Sequence, residues 1–210
     1  MPAKRTSSRE RIVEAAVWLF YGNGYNATGV AEILKKAKVN SGSFYFFFKS
    51  KEELLLAVLD WYLENLEPIL IWPVYEATSD PIERVFALLD GYRQKILMTE
   101  FDFTCPIGRL ALEIDPARTQ VHAKIAANFR GWTEAVKRCL EDAGVRLPQG
   151  TDTEALAKFV LTVMEGGVMQ SRSHKSIAPF DASVEQLRQY FRYLEQSTGF
   201  PPAKEKSTRR

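Results

Sequence analysis

Apolar residues recur every three to four positions along nearly the whole chain, and sustained two-residue alternation is hard to find. Helix-start signals punctuate this pattern. Ser7 with Glu10, and Ser50 with Glu53, have the capping-box spacing, in which a hydroxyl accepts from a free backbone N–H and the Glu reaches back to the cap. Asp80-Pro81 and Asp115-Pro116 put an acceptor before a proline whose missing N–H costs nothing in a first turn. Thr151 with Glu154 and Ser183 with Gln186 mark two more starts. These signals predict helices over 8–22, 28–36, 41–47, 50–75 with Pro68 as a candidate bend, 81–98, 105–113, 116–143, 152–174 and 183–197. The expected fold is all-α with about nine helices.

The stops agree. Gly22-Asn23-Gly24 follows the first helix, Gly144 the seventh, and Gly199 with Pro201-Pro202 the last. No internal repeat is evident. The first three helices are short and the later ones longer, which divides the chain into a head over 1–51, a body over 52–200 and a tail over 201–210. The tail lacks apolar anchors and is expected to be disordered.

Composition leaves a soluble globular protein: 210 residues, 46% apolar, 26% charged. The formal net charge of +2 by itself predicts no polyanionic partner. Its distribution does. Residues 1–51 carry nine basic side chains against three acidic ones, a sum of +6, whereas 52–203 sum to −7. Cys105 and Cys139 are too few and too far apart for a disulfide framework, which suits a reducing compartment. With no secretory leader and no membrane-length apolar run, the expected location is the cytoplasm.

Residues 28–46 carry the most information. Two short helices joined by the turn Ala37-Lys38-Val39, inside a basic segment, form a helix-turn-helix arrangement. A helix fits the major groove of DNA, and a second helix braced across it holds its N-terminal residues at base edges. Asn40, Ser41 and Ser43 are small and polar there, and Gly42 lets the backbone come closer still. Five aromatic residues in a row, Phe44 to Phe48, cannot all enter one core from a helix. Phe44 and Phe48 share a face and are expected to pack on Ile12, Ala16, Leu19 and Ile33. Phe47 is assigned to the core or a seam, while Tyr45 and Phe46 point elsewhere. The Tyr45 ring suits a thymine methyl or sugar, and its hydroxyl suits a phosphate. Lys49 and Lys51 stand where the fourth helix begins and its free N–H groups favour phosphate.

The stretch TGVAEILKKAKVNSGSFYFFFKSKEEL over 28–54, with WLFYGNGYNAT ending the first helix, resembles the DNA-binding signature of TetR/AcrR-type transcriptional regulators. The resemblance implies that Thr28 caps the second helix and touches phosphate, that Asn40 to Tyr45 form the reading surface, and that Lys49 clamps the backbone. Three positions depart from the family pattern. Phe47 stands where many members carry a phosphate-contacting His, Phe46 where many carry a Tyr, and Lys38 in a turn position usually held by Gly. A left-handed Lys38 would cost roughly 1 kcal/mol, offset by its charge near DNA.

Beyond residue 60 the segment CPIGRLALE over 105–113 is similar to the CxxGxLAxE sixth helix of one branch of that family. The resemblance implies a body that binds a small molecule and dimerises. For the dimer interface the candidates are Leu156, Phe159, Val160, Val163, Gly166 and Gly167 on one long helix and Leu187, Phe191 and Leu194 on the last. Glycines inside a helix cost about 1 kcal/mol against alanine, and close approach of a partner helix would offset it. Large apolar side chains, Trp61, Trp72, Phe101, Phe103, Trp132, Met164 and Met169, are candidates to line a cavity for an apolar or aromatic effector, although such residues also make plain core. Cys105 joins them as a candidate responsive thiol at a helix start; an inert buried cysteine is the alternative. His122 and His174 read as ordinary polar residues.

The expected protein is therefore a dimeric, ligand-responsive repressor that binds a palindromic operator in double-stranded DNA, with the fourth helix as lever, and has no cofactor, no metal and no membrane partner. Two alternatives stay open. An all-α enzyme lacks Glu-x-x-His, His-Glu-x-x-His, a glycine-rich phosphate loop, or a nucleophile beside an evident base. A peripheral membrane protein would use Phe44 to Phe48 and nearby lysines as an anchor.

Overall fold

A computed structural model describes residues 7–199. Ten α-helices occur among the described residues: α1 Ser8–Asn23, α2 Val30–Ala37, α3 Ser41–Phe47, α4 Lys51–Glu64, α5 Trp72–Ala77, α6 Pro81–Met98, α7 Pro106–Glu113, α8 Thr119–Asp142, α9 Thr153–His174 and α10 Ala178–Ser197. The predicted tail lies outside the described residues.

The local reasons are mostly those anticipated. At Ser7 the complete capping box forms, Ser7 Oγ accepting from Glu10 N and Glu10 accepting from Ser7 N. Ser50 Oγ accepts from Glu53 N at 3.1 Å, and Asp80 accepts from Ile82 N and Glu83 N.

Four boundaries differ. The stretch 50–75 is not one bent helix: α4 ends at Glu64, and a wide π turn over Glu67–Ile71 leads into α5. Pro68 causes this from four residues away, because its ring excludes the Glu64 carbonyl from the position a helix would give it. Asp115-Pro116 opens a turn, not a helix; Asp115 Oδ1 accepts from Ala117 N at 2.8 Å and α8 starts at Thr119. Asp152 rather than Thr151 caps α9, accepting from Ala155 N. The last helix begins at Ala178, with Pro179 in its first turn, so Ser183 lies inside it and its hydroxyl donates back to the Pro179 carbonyl at 2.8 Å.

Two compact units emerge: the chain to Glu67 with Thr104–Gly131, and Pro68–Phe103 with the chain from Trp132. The first holds α1 to α4, α7 and the start of α8 around a core that includes Ile12, Ala16, Phe20, Ile33, Phe44, Phe48, Leu54, Leu55, Val58, Leu110 and Ile125. Ion pairs to α4, from Lys124 on α8 to Asp60 and from Arg118 just before α8 to Glu52, tie its edge.

The second unit holds α5, α6, the rest of α8, α9 and α10. Phe86 meets Phe191 edge to face at 5.5 Å, with the Arg188 guanidinium over the Phe86 ring. Arg146 bridges Asp80 and Glu195, at 2.8 and 2.7 Å. Burial works against the Asp80 charge, but the N–H of Glu83, the Arg146 guanidinium and the N–H of Ile82 outweigh it and hold the carboxyl below its ordinary range.

Gly167 has its reason within the chain. A Cβ there would lie 2.7 Å from the Phe180 ring and 3.4 Å from Phe180 Cα, so the helix it admits closely is α10 of the same chain. Gly91, inside α6, has open space around it. The two alanine substitutions should therefore have opposite signs in urea unfolding: Gly91→Ala raising stability by about 0.5–1 kcal/mol, and Gly167→Ala lowering it by about 1–2 kcal/mol once overpacking is set against the same helix gain. Equal effects would refute the Phe180 contact as the cause.

Candidate nucleic-acid interface

α2 ends at Ala37, and the turn is made by Lys38 at φ 54°, ψ 49°, the left-handed conformation anticipated for it. Lys38 N and Val39 N donate back to the carbonyls of Lys35 and Leu34. Asn40 then caps α3, its Oδ1 accepting from Ser43 N at 2.8 Å. Phe44 and Phe48 are four positions apart, and both are buried in the unit's core together with Ile12, Ala16 and Ile33, with Leu19 packed against it. The rest of the aromatic run is thereby sorted. Tyr45 is 61% and Phe46 81% exposed, and Phe47 is half-buried.

Around these, Lys38, Asn40, Ser41, Gly42 and Lys49 are exposed and Ser43 is half-exposed. A Cβ at Gly42 would meet nothing nearer than Asn40 Oδ1 at 3.4 Å, so no neighbour within the chain demands a glycine there. The Lys49 side chain is solvent-facing, while its N–H donates to Glu53 Oε2.

Two residues assigned to DNA are placed otherwise. Thr28 does not cap α2; Gly29 does, without a side-chain bond. The Thr28 side chain is buried, and its hydroxyl donates to the Gly24 and Leu19 carbonyls, at 2.7 and 3.3 Å. Lys51 turns inward too: its Nζ donates to the carbonyls of Tyr25 and Thr28, at 2.9 and 3.1 Å, and lies 4.2 Å from the Tyr25 ring centroid. Burial, and then the Arg118 guanidinium, lower its pKa from the usual lysine value. Composition alone could not tell an inward lysine from an outward one. Arg109 and Glu113, which sequence reasoning left without a role, bind the turn between α1 and α2; their only trace was the i, i+4 spacing of opposite charges in the 105–113 motif.

The candidate effector residues are dispersed. Trp61 and Cys105 belong to the first unit, half-buried and buried. In the second, Phe103, Trp132 and Met164 are buried; Trp132 Nε1 donates to the Tyr92 hydroxyl at 3.2 Å, and the Tyr92 ring meets Phe103 edge to face. Phe101 is half-buried at φ 69°, and Trp72 and Met169, each 60% exposed, lie on the surface. The candidate dimer stripe splits as well. Val160, Gly167 and Phe191 are buried within the chain; Leu156 and Leu187 are also buried but line an open groove between α9 and α10, along which Phe159, Val163 and Leu194 join Tyr190; Gly166 is half-exposed.

Among the described residues, no group of three or more His, Cys, Asp and Glu is placed to hold a metal ion. No helix there is long and apolar enough to cross a membrane.

The geometry defines a helix-turn-helix DNA-binding module within an all-α chain, and the comparisons agree. Residues 12–58 match the bacterial regulatory proteins of the tetR family, and 81–186 the C-terminal domain of LmrA/YxaF-like transcriptional regulators. The regulator YxaF of Bacillus subtilis is 31% identical over 87% of this chain and 94% of its own. The repressor DhaR of a Mycobacterium species is 26% identical over 84% and 88%. A TetR regulatory protein from Rhodobacter sphaeroides shares the fold, with a TM-score of 0.75 at 22% identity over 89% of this chain and 98% of its own. The reduced form of Escherichia coli NemR does likewise, at 0.74 and 21% over 87% and 96%. The chain belongs to the TetR family of transcriptional regulators: it is a DNA-binding regulator and not an enzyme.

Lys51→Met keeps the aliphatic stem and removes both hydrogen bonds from the charged head, so it should lower stability by about 1.5–3 kcal/mol. Urea unfolding measures this; a loss under about 0.5 kcal/mol would contradict the inward role.

Proposed function

We propose that this regulator is a repressor that binds a palindromic operator as a homodimer and is released by a small apolar or aromatic effector. The observation that carries the reading is the orientation of α3: burial of Phe44 and Phe48 turns Tyr45 and Phe46 outward, beside the exposed Asn40, Ser41 and Gly42 at the helix start. Short polar side chains there suit base edges, and Lys38, Tyr45 and Lys49 suit the sugar-phosphate backbone. The free space at Gly42 supports close approach of a duplex. Thr28 and Lys51 hold the module together and leave the reading surface to the others.

The open groove carrying Phe159, Val163, Tyr190 and Leu194 supports dimerisation through α9 and α10, because exposed aromatic and aliphatic side chains on paired helices are what a four-helix interface covers. Two-fold pairing would let two modules read successive major grooves. The name of DhaR as a repressor supports repression. The effector is taken as apolar or aromatic from the character of the side chains the second unit buries, Phe103, Trp132 and Met164 among them. Such an effector would act by population shift, preferring a conformation that does not bind DNA and draining the one that does.

Binding is measured by fluorescence anisotropy on a duplex enriched from a random pool by the unaltered chain. Tyr45→Ala should weaken it roughly tenfold, and Lys49→Ala should weaken it while reducing the slope of log affinity against log salt by about 1. Both residues are exposed, so neither change threatens the fold. Undiminished binding by both variants would overturn the assigned surface.

A further inference from the structure

The turn between α1 and α2 has backbone N–H groups that no helix satisfies, and a distant part of the chain meets them. Glu113, the last residue of α7, accepts with Oε2 from Tyr25 N at 2.8 Å and Asn26 N at 3.3 Å. Its main-chain oxygen accepts from Asn26 Nδ2 at 3.1 Å. Arg109, one helical turn earlier, donates through Nε to Glu113 Oε1 at 2.6 Å. Through Nη1 it donates to the Tyr21 and Gly22 carbonyls, at 3.1 and 3.2 Å. Both ends of the turn are thus gripped, the closing carbonyls of α1 by the guanidinium and the N–H groups leading to α2 by the carboxylate.

The turn is shaped to receive this clamp. Gly24 sits at φ 87°, and a Cβ on it would collide with both Glu113 carboxylate oxygens and with Arg109 Nη2. The two side chains are only 23% and 22% exposed, so their bonds to the turn are partly shielded from water. The same turn is also held by Lys51 on the carbonyls of Tyr25 and Thr28. α2, which follows Gly29 as N-cap without a side-chain bond, therefore takes its entry from a turn fixed outside the helix-turn-helix itself. α3 packs on α1 and α2, so its pose depends on that entry.

We infer that Glu113, supported by Arg109, is a positioning residue for DNA reading: α7 holds the α1–α2 turn in the arrangement that presents α3. The inference rests on the DNA-binding reading above and adds to it a residue that touches no DNA. The clamp joins residues of the stretch matched to the tetR-family description with residues of the stretch matched to the LmrA/YxaF-like C-terminal domain.

The test uses the full chain and a duplex enriched from a random pool by the unaltered protein. Glu113→Ala should bind it at least about tenfold more weakly, with unchanged helical circular dichroism and a cooperative melt above the assay temperature. Glu113→Gln keeps an acceptor oxygen for the turn and should recover binding to within about threefold, a rescue that general loosening of the fold would not give. Hydrogen exchange at the Tyr25 and Asn26 amides should speed up in Glu113→Ala and stay slow in Glu113→Gln. If Glu113→Ala does not melt cooperatively, Arg109→Ala replaces it, with an expected loss of about three- to tenfold. Binding by the alanine variant within about twofold of the unaltered chain, or a glutamine variant as weak as alanine, would overturn the inference. A pool from which the unaltered chain enriches nothing would overturn the regulator reading itself, while faster amide exchange in Glu113→Ala would still show the clamp.

Discussion

Burial of Phe44 and Phe48 is the constraint from which the rest of the surface proposed to read DNA follows. Each side chain, fully withdrawn from water, stabilises the fold by roughly 1.5–3 kcal/mol, and both belong to the core of the first unit. Phe44 fixes the rotation of the seven-residue helix about its axis, and Phe48, the extended residue that follows its last turn, anchors its end. Once that is set, Tyr45 and Phe46 have nowhere to go but outward, and the residues from Asn40 to Ser43 stand at the exposed start of the helix. A left-handed Lys38, costing roughly 1 kcal/mol, is small beside two buried rings.

That rotation would mean little if α3 could drift, and the surrounding polar bonds hold what it packs on. Thr28 and Lys51 bind carbonyls of the α1–α2 turn, and Glu113 binds its N–H groups. The distinction between residues proposed to meet DNA and residues that hold the module is therefore one of direction. Lys49 and Lys51 are two positions apart and carry the same charge, yet one is exposed and the other lies over the Tyr25 ring.

Much of this was legible in the sequence because the signals are short-range. The caps at Ser7, Ser50 and Asp80 operate across two or three residues, and the split of the aromatic run needs only helical periodicity. Legibility failed where two local signals competed or where the partner was distant. Ser183 with Gln186 has the spacing of a helix start, but Pro179 upstream had already opened α10. Pro68 ended α4 at Glu64, earlier than a bend placed at the proline itself. Thr28 has the residue type of a cap, and only three-dimensional placement shows its hydroxyl turned to Gly24 and Leu19. Gly167 advertised a close helix without saying which; Phe180 of the same chain supplies it. Glu113 lies 88 residues from Tyr25, beyond any local pattern.

The second unit has its own organising contacts, the Arg146 bridge between Asp80 and Glu195 and the Tyr92, Phe103 and Trp132 cluster, and it resembles the first in burying aromatic rings beside satisfied polar groups. The account turns, however, on the first unit and on which face of α3 meets DNA. A crystal structure of the chain on its selected duplex tests that most directly. The account predicts Asn40 to Ser43 against base edges in the major groove, with the Tyr45 hydroxyl and Lys49 Nζ on the sugar-phosphate backbone and Lys51 still turned to Tyr25. A complex in which Tyr45 faces solvent while another surface lies on the duplex would contradict it.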